Sequence, residues 1–140
     1  MVFDDVQFVA EDGRAVAVFT AEEKRRAALA DALSWHVTRR FQTGELEADK
    51  VIELRAAGAL ADRIDKFRGV EGRAPVRLDA DQVRLLIEAV VSFISERDVE
   101  SYQPPEERER IAELSSLVDP LFDLALELDR ADGVLAAQSF

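Results

Sequence analysis

The residue types that most often carry out chemistry are scarce in this sequence. The chain has one histidine, His36, which follows the single tryptophan, Trp35, and it has no cysteine. No serine or carboxylate at a motif spacing marks His36 as a general base, and Leu33 occupies the glutamate position of the Glu-x-x-His pair of di-iron bundles. Without cysteine the chain has no disulfide, thiolate nucleophile or thiolate zinc site. We therefore predict a structural role for His36, with no catalytic residue, no metal and no cofactor.

The acidic clusters and the glycines of the chain do not match a functional spacing. The segments ELEAD (45–49), ERDVE (96–100) and EERE (106–109) do not have the spacing of a calcium loop. A phosphate-binding glycine loop, a GxSxG elbow and a dinucleotide fingerprint are also absent from the sequence. These absences favour a non-enzymatic protein. The opposing hypothesis, a small-molecule enzyme or sensor, requires a closed pocket with polar groups near His36 or Tyr102.

Trp35 and the arginines near it are candidates for binding a partner. On a helix His36 borders the apolar stripe, whereas Trp35 points to another side. Because tryptophan is enriched at binding hot spots, we predict an interface that includes Trp35, Arg39, Val16 and Val18. The alternative is a small DNA-binding regulator whose exposed patch consists of Arg25, Arg26, Arg39 and Arg40. The net charge of −11 opposes nucleic-acid binding.

Composition places the chain among globular proteins of one domain. It has 140 residues, of which 48% are hydrophobic and 34% charged. Its apolar runs are shorter than the roughly 18 residues of a membrane span, and its acidic start lacks the features of a signal peptide. We therefore expect a cytoplasmic protein that does not engage a membrane. Arginine outnumbers lysine 15 to 3, a bias that hints at a GC-rich bacterial genome.

The first 20 residues predict a β-hairpin. The dipeptide Asp12-Gly13 separates two β-prone runs, so strands are expected near residues 3–10 and 14–20. Val9, Val16 and Val18 make the second face of the hairpin partly apolar. An isolated hairpin is marginal in water, so this one must pack on helices, gain a third strand such as APVRL (74–78), or pair with another subunit.

Two helices are expected to follow the hairpin. Thr20 and Glu23 have the spacing of a capping box, which predicts a helix over about 21–42. A second helix is predicted over about 46–67. Gly58 lies in its small-residue run, AAGALA, and predicts that another backbone approaches closely there.

Two further helices are predicted in the second half of the chain. Asp79 can cap a helix over about 80–100, and Pro105 begins another over about 105–131, followed by a tail over 132–140. Pro120 either kinks the last helix or divides it. The apolar residues of this helix repeat as a heptad seam, formed by Ile111, Leu114, Val118, Leu121, Ala125 and Leu128.

These features predict an α+β, predominantly α fold, in which a four-helix bundle-like domain over residues 1–140 carries an N-terminal β-hairpin. The function that they favour is that of a non-enzymatic bacterial accessory or interaction protein, acting as a homodimer or a partner-binding module. Three surfaces support the dimer prediction: the hairpin edge, the face around Trp35 and the heptad seam of the last helix. Each of these surfaces can also be covered within one chain, which leaves Trp35 open as a core or an interface residue.

Overall fold

A computed structural model describes residues 3–42, 46–97 and 103–138 of the chain. Within these residues the strands are β1 (Asp4–Glu11), β2 (Arg14–Glu22) and β3 (Arg73–Asp79). The helices are α1 (Glu23–Gln42), α2 (Ala48–Ile64), α3 (Ala80–Arg97) and α4 (Pro105–Gln138). A short 3-10 turn, Asp65–Phe67, follows α2. The described residues are mostly helical and include a three-stranded antiparallel sheet, which confirms the predicted combination of four helices with an N-terminal hairpin.

The hairpin and its third strand form as predicted. β1 and β2 are joined by a two-residue turn at Asp12 and Gly13, whose φ angles of +52° and +79° are those that such a turn requires. β3 contains the APVRL segment and pairs antiparallel with β2, so the strand order is β1-β2-β3. The third strand and the helices beneath the sheet supply the support that an isolated hairpin lacks.

The sheet buries one face and leaves the other to solvent. Burial alternates along β2 and β3 with the period of two residues that a pleated strand imposes. The buried residues of these two strands are Ala15, Ala17, Phe19, Ala21, Ala74, Val76 and Leu78. They pack on α1, α3 and α4, and the ring centroids of Phe3 and Phe19 lie 4.6 Å apart in the same core.

The predicted capping box at the start of α1 is wrong. Thr20 belongs to β2, where it lies opposite Pro75, and its hydroxyl has no hydrogen-bond partner among the described residues. Glu23 instead accepts a hydrogen bond from the backbone N–H of Gly69 at 2.9 Å. Pairing with β3 extends β2 as far as Glu22, so α1 begins only at Glu23 and Thr20 lies two residues before the position of a capping residue.

The predicted cap of α3 forms. A carboxylate oxygen of Asp79 accepts the N–H of Gln82 at 2.9 Å, and the Gln82 side-chain oxygen accepts the N–H of Asp79 at 2.9 Å. This reciprocal pair satisfies two donors that a helix start leaves free. The predicted end of this helix near residue 100 lies outside the described residues.

The close backbone approach that was predicted at Gly58 is absent. A Cβ atom built on Gly58 would meet no other atom within 4 Å, apart from its chain neighbours and its own helix. The small residues that do pack inward on α2 are Ala57 and Ala61, which are 0% and 3% exposed. The helix therefore uses its alanines, and not its glycine, to fit against α1 and α3.

Helix α4 continues through Pro120 and extends seven residues beyond the predicted end at residue 131. The prediction of a tail over 132–140 is therefore wrong as far as Gln138. A carboxylate oxygen of Asp132 accepts the backbone N–H of Ala15 at 2.6 Å, and Ala15 lies just past the last residue pair that joins β2 to β3. This long-range hydrogen bond gives the extra helical turns a tertiary contact that local sequence patterns do not indicate.

Candidate interaction surface

The outer side of the sheet, which we call the solvent face, carries a short apolar row. Val9 lies opposite Val16, and Val18 is two residues further along β2, so the three valines are neighbours on one side of the pleat. Val9 is 38% exposed, and the other two are partly exposed. The face consists of Gln7, Val9, Glu11, Arg14, Val16, Val18, Thr20, Glu22, Arg73, Pro75, Arg77 and Asp79.

Charges on the solvent face are balanced. Three of its residues are acidic and three are basic, whereas the whole chain carries −11. Arg77 forms an ion pair with Glu11, and Arg14 forms one with Asp81 at 2.9 Å and lies 3.8 Å from Asp79. The valine row is thus surrounded by polar groups that neutralise one another, an arrangement typical of protein interfaces with an apolar centre and a polar rim.

The free edge of β1 offers little for strand addition. In an antiparallel hairpin closed by the Glu11–Arg14 pair, hydrogen-bonded residue pairs alternate with pairs that are not hydrogen-bonded. Phe8 and Ala10 belong to the second kind, so their backbone N–H and C=O groups point away from β2. The register shifts between Asp4 and Gln7, which shortens the regular part of this edge. Short edges and bulges oppose edge-to-edge pairing. The solvent face is therefore the better candidate for an interface than the edge.

Trp35 packs within its own chain. Its ring meets that of Phe93 edge-on, with centroids 5.3 Å apart and planes at 89°, and its side chain is partly buried. Arg39 forms an ion pair with Glu96 at 3.2 Å. Both contacts are made with α3, whereas Val16 and Val18 lie on the solvent face of the sheet. The structure thus separates the four predicted interface residues into two places.

The four arginines of the nucleic-acid alternative do not share one surface. Arg26 is 2% exposed and donates hydrogen bonds to the backbone carbonyls of Ala21, Phe67, Val70 and Gly72, at 2.5, 3.3, 3.0 and 2.9 Å respectively. Arg25 pairs with Glu113 of α4 at 2.9 Å. Arg39 pairs with α3, and Arg40 lies beside His36. The single exposed patch that this alternative requires therefore lacks Arg26.

His36 is packed among charged residues from three helices. It is 5% exposed, and its Nε2 atom lies 3.8 Å from a carboxylate oxygen of Glu88. Arg40 on α1 and Lys50 and Glu53 on α2 also face it, around a crevice of about 10 Å³. A crevice of that volume holds about one water molecule and no larger ligand. The enzyme or sensor alternative gains no pocket here, and Tyr102, its other candidate, lies outside the described residues.

The free energy of unfolding should fall as the pH drops below about 6.5, the ordinary pKa of histidine. Burial is the largest influence on the pKa of His36 and lowers it, and the nearby Glu88 carboxylate only partly opposes this effect. The imidazole of His36 therefore becomes protonated at a higher pH in the unfolded chain than in the folded chain. Its stabilisation of the fold is fully present above about pH 6.5 and is lost as the pH falls toward the lower pKa of the folded state.

Urea unfolding of the wild type and of His36→Gln over about pH 7.5 to 5 measures this effect, because the variant lacks the titrating group while the other groups are unchanged. The wild type should lose more free energy of unfolding on acidification than the variant does. Equal losses in the two proteins would contradict the assignment.

The described residues provide neither a metal cluster nor a membrane-spanning helix. Residues 3–42, 46–97 and 103–138 contain no group of three or more histidine or carboxylate side chains that could hold a metal ion. Across the same ranges no helix is both long and apolar enough to cross a bilayer.

No protein-family model, curated protein or solved structure matches this chain. Its function must therefore be inferred from its own surfaces. Sequence patterns named Arg26 only as part of a nucleic-acid patch, and they missed Phe122 and Leu126. Arg26 has partners far away in the chain, while Phe122 and Leu126 are exposed on α4 at a spacing of four residues, outside the predicted heptad seam.

Proposed function

We propose that the protein is a non-enzymatic interaction protein that acts as a homodimer, with the solvent face of the sheet as the contact between the two copies. The observation that carries this proposal is the row of Val9, Val16 and Val18 within a charge-balanced rim. Apolar patches rimmed by polar residues are typical of protein–protein contacts.

The other surfaces that suggested a dimer have partners within the chain. The heptad seam of α4 lies in the core, where Leu114, Leu121 and Leu128 are 0% exposed, and Trp35 packs against Phe93. Of the residues predicted at an interface, Val16 and Val18 remain, and they lie on the solvent face and not on the predicted hairpin edge. This elimination supports the solvent face over the surface around Trp35.

Charge favours a second copy as the partner on this face. Two chains that each carry −11 repel one another at most orientations. From Gln7 onward the solvent face carries three acidic and three basic residues, with Asp4 opposite Thr20 as a further acidic residue of β1, so two copies that approach there meet less repulsion than at acidic surfaces of the chain. A contact related by a two-fold axis uses the same residues on both subunits, which suits a surface that bears both signs of charge.

The double variant Val16→Lys and Val18→Glu tests the homodimer. In the register of β2 and β3, residue 16 lies opposite Asp79 and residue 18 lies opposite Arg77, so each new charge faces an opposite one across the strands. The net charge stays the same and the fold should persist, while the apolar row is lost. We expect sedimentation at micromolar concentration to give twice 15.6 kDa for the wild type and 15.6 kDa for the variant.

A matched control carries the same pair of substitutions elsewhere. Ile52→Glu with Val134→Lys changes two side chains that are 68% and 57% exposed on α2 and α4. This control should sediment as the wild type does. A wild type that sediments as a 15.6 kDa monomer would disprove the homodimer, and a double variant that remains dimeric would disprove the assigned face.

The same proposal places the protein in the bacterial cytoplasm and its four helices in an antiparallel, bundle-like packing. Contacts of α1 with each of the other three helices support the bundle-like packing. The excess of arginine over lysine and the lack of cysteine support a location in the bacterial cytoplasm.

A further inference from the structure

A second apolar surface lies on the outer side of α3 and α4. It consists of Val91, Phe122 and Leu126, which are 40%, 49% and 56% exposed, and we call it the α3–α4 patch. Single exposed apolar residues are normal on protein surfaces. The patch indicates a binding surface only if its three residues are neighbours and the charges around them favour one kind of partner.

Ion pairs between the two helices place the three side chains on one side. Arg97 pairs with Glu107 and Arg84 pairs with Asp129, so α3 and α4 run antiparallel. Val91 is seven residues after Arg84, and Phe122 is seven residues before Asp129.

Seven residues are close to two helical turns and rotate the position by only about 20°. Because the helices are antiparallel, Val91 and Phe122 both lie about two turns from the Arg84–Asp129 ion pair in the same direction. Both therefore lie on the side of the two helices where this ion pair forms. Leu126 lies between Phe122 and Asp129 on the same stripe of α4.

The charge around this patch is negative. From residue 119 to residue 130, α4 has four carboxylates and one arginine, and Arg84 of α3 adds a second positive charge, which gives a sum of −2. Glu127 pairs with Arg130 and Asp129 with Arg84, whereas Asp119 and Asp123 form no ion pair within the described residues. Two free carboxylates therefore flank Phe122, one three residues before it and one directly after it.

This charge determines which kind of partner fits. A second copy of the chain would bring another −2 to the contact, and a nucleic acid or an anionic membrane would also be repelled. A partner with basic groups beside apolar ones complements both features. The antiparallel helix pair offers a shallow apolar surface of the type on which amphipathic helices dock.

We propose that the α3–α4 patch binds a basic amphipathic helix of another protein. The apolar side chains of that helix contact Val91, Phe122 and Leu126, and its lysines or arginines approach Asp119 and Asp123. The surface is separate from the solvent face of the sheet, so a dimer could bind one such helix on each subunit.

Fluorescence anisotropy with two labelled 18-residue peptides tests the charge preference on the full chain. The first peptide has leucines at helical spacings i, i+3, i+4 and i+7 and lysines elsewhere, and in the second glutamates replace the lysines. The lysine peptide should bind at least about tenfold more tightly than the glutamate peptide, and its affinity should weaken with added salt. No detectable binding of the lysine peptide, or equal binding of both peptides, would overturn the proposal.

Variants of the patch test its location. Phe122→Gln with Leu126→Gln should weaken binding of the lysine peptide at least about tenfold, as expected for central interface residues. Ile52→Gln, an exposed site on α2, is the matched control and should leave the affinity unchanged. Asp119→Asn with Asp123→Asn should weaken binding a few fold and reduce its salt dependence.

Three results would contradict the assigned surface or partner. The first is unchanged peptide binding in the Phe122→Gln and Leu126→Gln double variant. The second is conversion of a dimer to a monomer by that double variant, which would make the patch a contact between copies. The third is binding of the chain to vesicles that contain phosphatidylserine, lost in the same variant, which would assign the patch to a membrane.

Discussion

Replacement of Arg26 with methionine should lower the free energy of unfolding by about 3–5 kcal/mol. Arg26 is 2% exposed, and its guanidinium group donates hydrogen bonds to four backbone carbonyls, three of which belong to residues 67–72. Methionine has a similar length but no donor, so buried carbonyl oxygens would lose their partner without gaining water. The same change should weaken the attachment of residues 67–72 to α1, which would then depend on the bond from Gly69 to Glu23 and the ion pair of Arg68 with Asp31.

Arg25 provides the matched control for this prediction. It is the neighbouring residue on α1, and its pair with Glu113 is partly exposed, with side chains 25% and 20% accessible. Arg25→Met should cost less than Arg26→Met, on the order of 1 kcal/mol. Urea unfolding followed by circular dichroism measures both losses. Equal losses for the two variants would show that the carbonyl contacts of Arg26 contribute little to stability.

Replacement of Trp35 with alanine should destabilise the fold by about 2–3 kcal/mol and leave the oligomeric state unchanged. Trp35 is partly buried and meets Phe93 edge-on at 5.3 Å, so its removal opens space between α1 and α3. Trp35→Phe keeps an aromatic ring at this position and should cost less. Because Trp35 is the single tryptophan, circular dichroism must follow the unfolding of both variants.

Sedimentation of the same variants distinguishes the core role of Trp35 from an interface role. A folded Trp35→Ala protein that has lost self-association, with wild-type stability, would restore Trp35 as an interface residue. That outcome would also weaken the case for the sheet as the dimer contact, since the two surfaces involve different elements.

Local signals in the sequence predicted the elements whose causes are local. The positive φ angles at Asp12 and Gly13 and the reciprocal bonds of Asp79 with Gln82 each depend on a few neighbouring residues. The Thr20 and Glu23 pattern failed because pairing of β2 with β3, more than 50 residues away, determines the conformation of Thr20. A capping residue must directly precede its helix, as Asp79 at the end of β3 precedes α3, whereas Thr20 lies two residues before Glu22, the residue that precedes α1.

The candidate sites were only partly predictable for a similar reason. Alternation along β2 placed Val16 and Val18 on one face, and the structure places them on the solvent face. Whether Trp35 is free for a partner depends on Phe93, which is 58 residues away in the sequence. Arg26 has backbone carbonyls as partners, and such partners leave no residue pattern that a sequence can reveal.

The hydrogen bond from Ala15 to Asp132 has a consequence for how the chain is made. It joins the second strand to a helix residue that is synthesised 117 residues later. Until the ribosome has added Asp132, the N–H of Ala15 lacks its acceptor and the inner face of the sheet lacks α4. The hairpin leaves the ribosome well before α4 does, so its stable folding should follow the synthesis of α4.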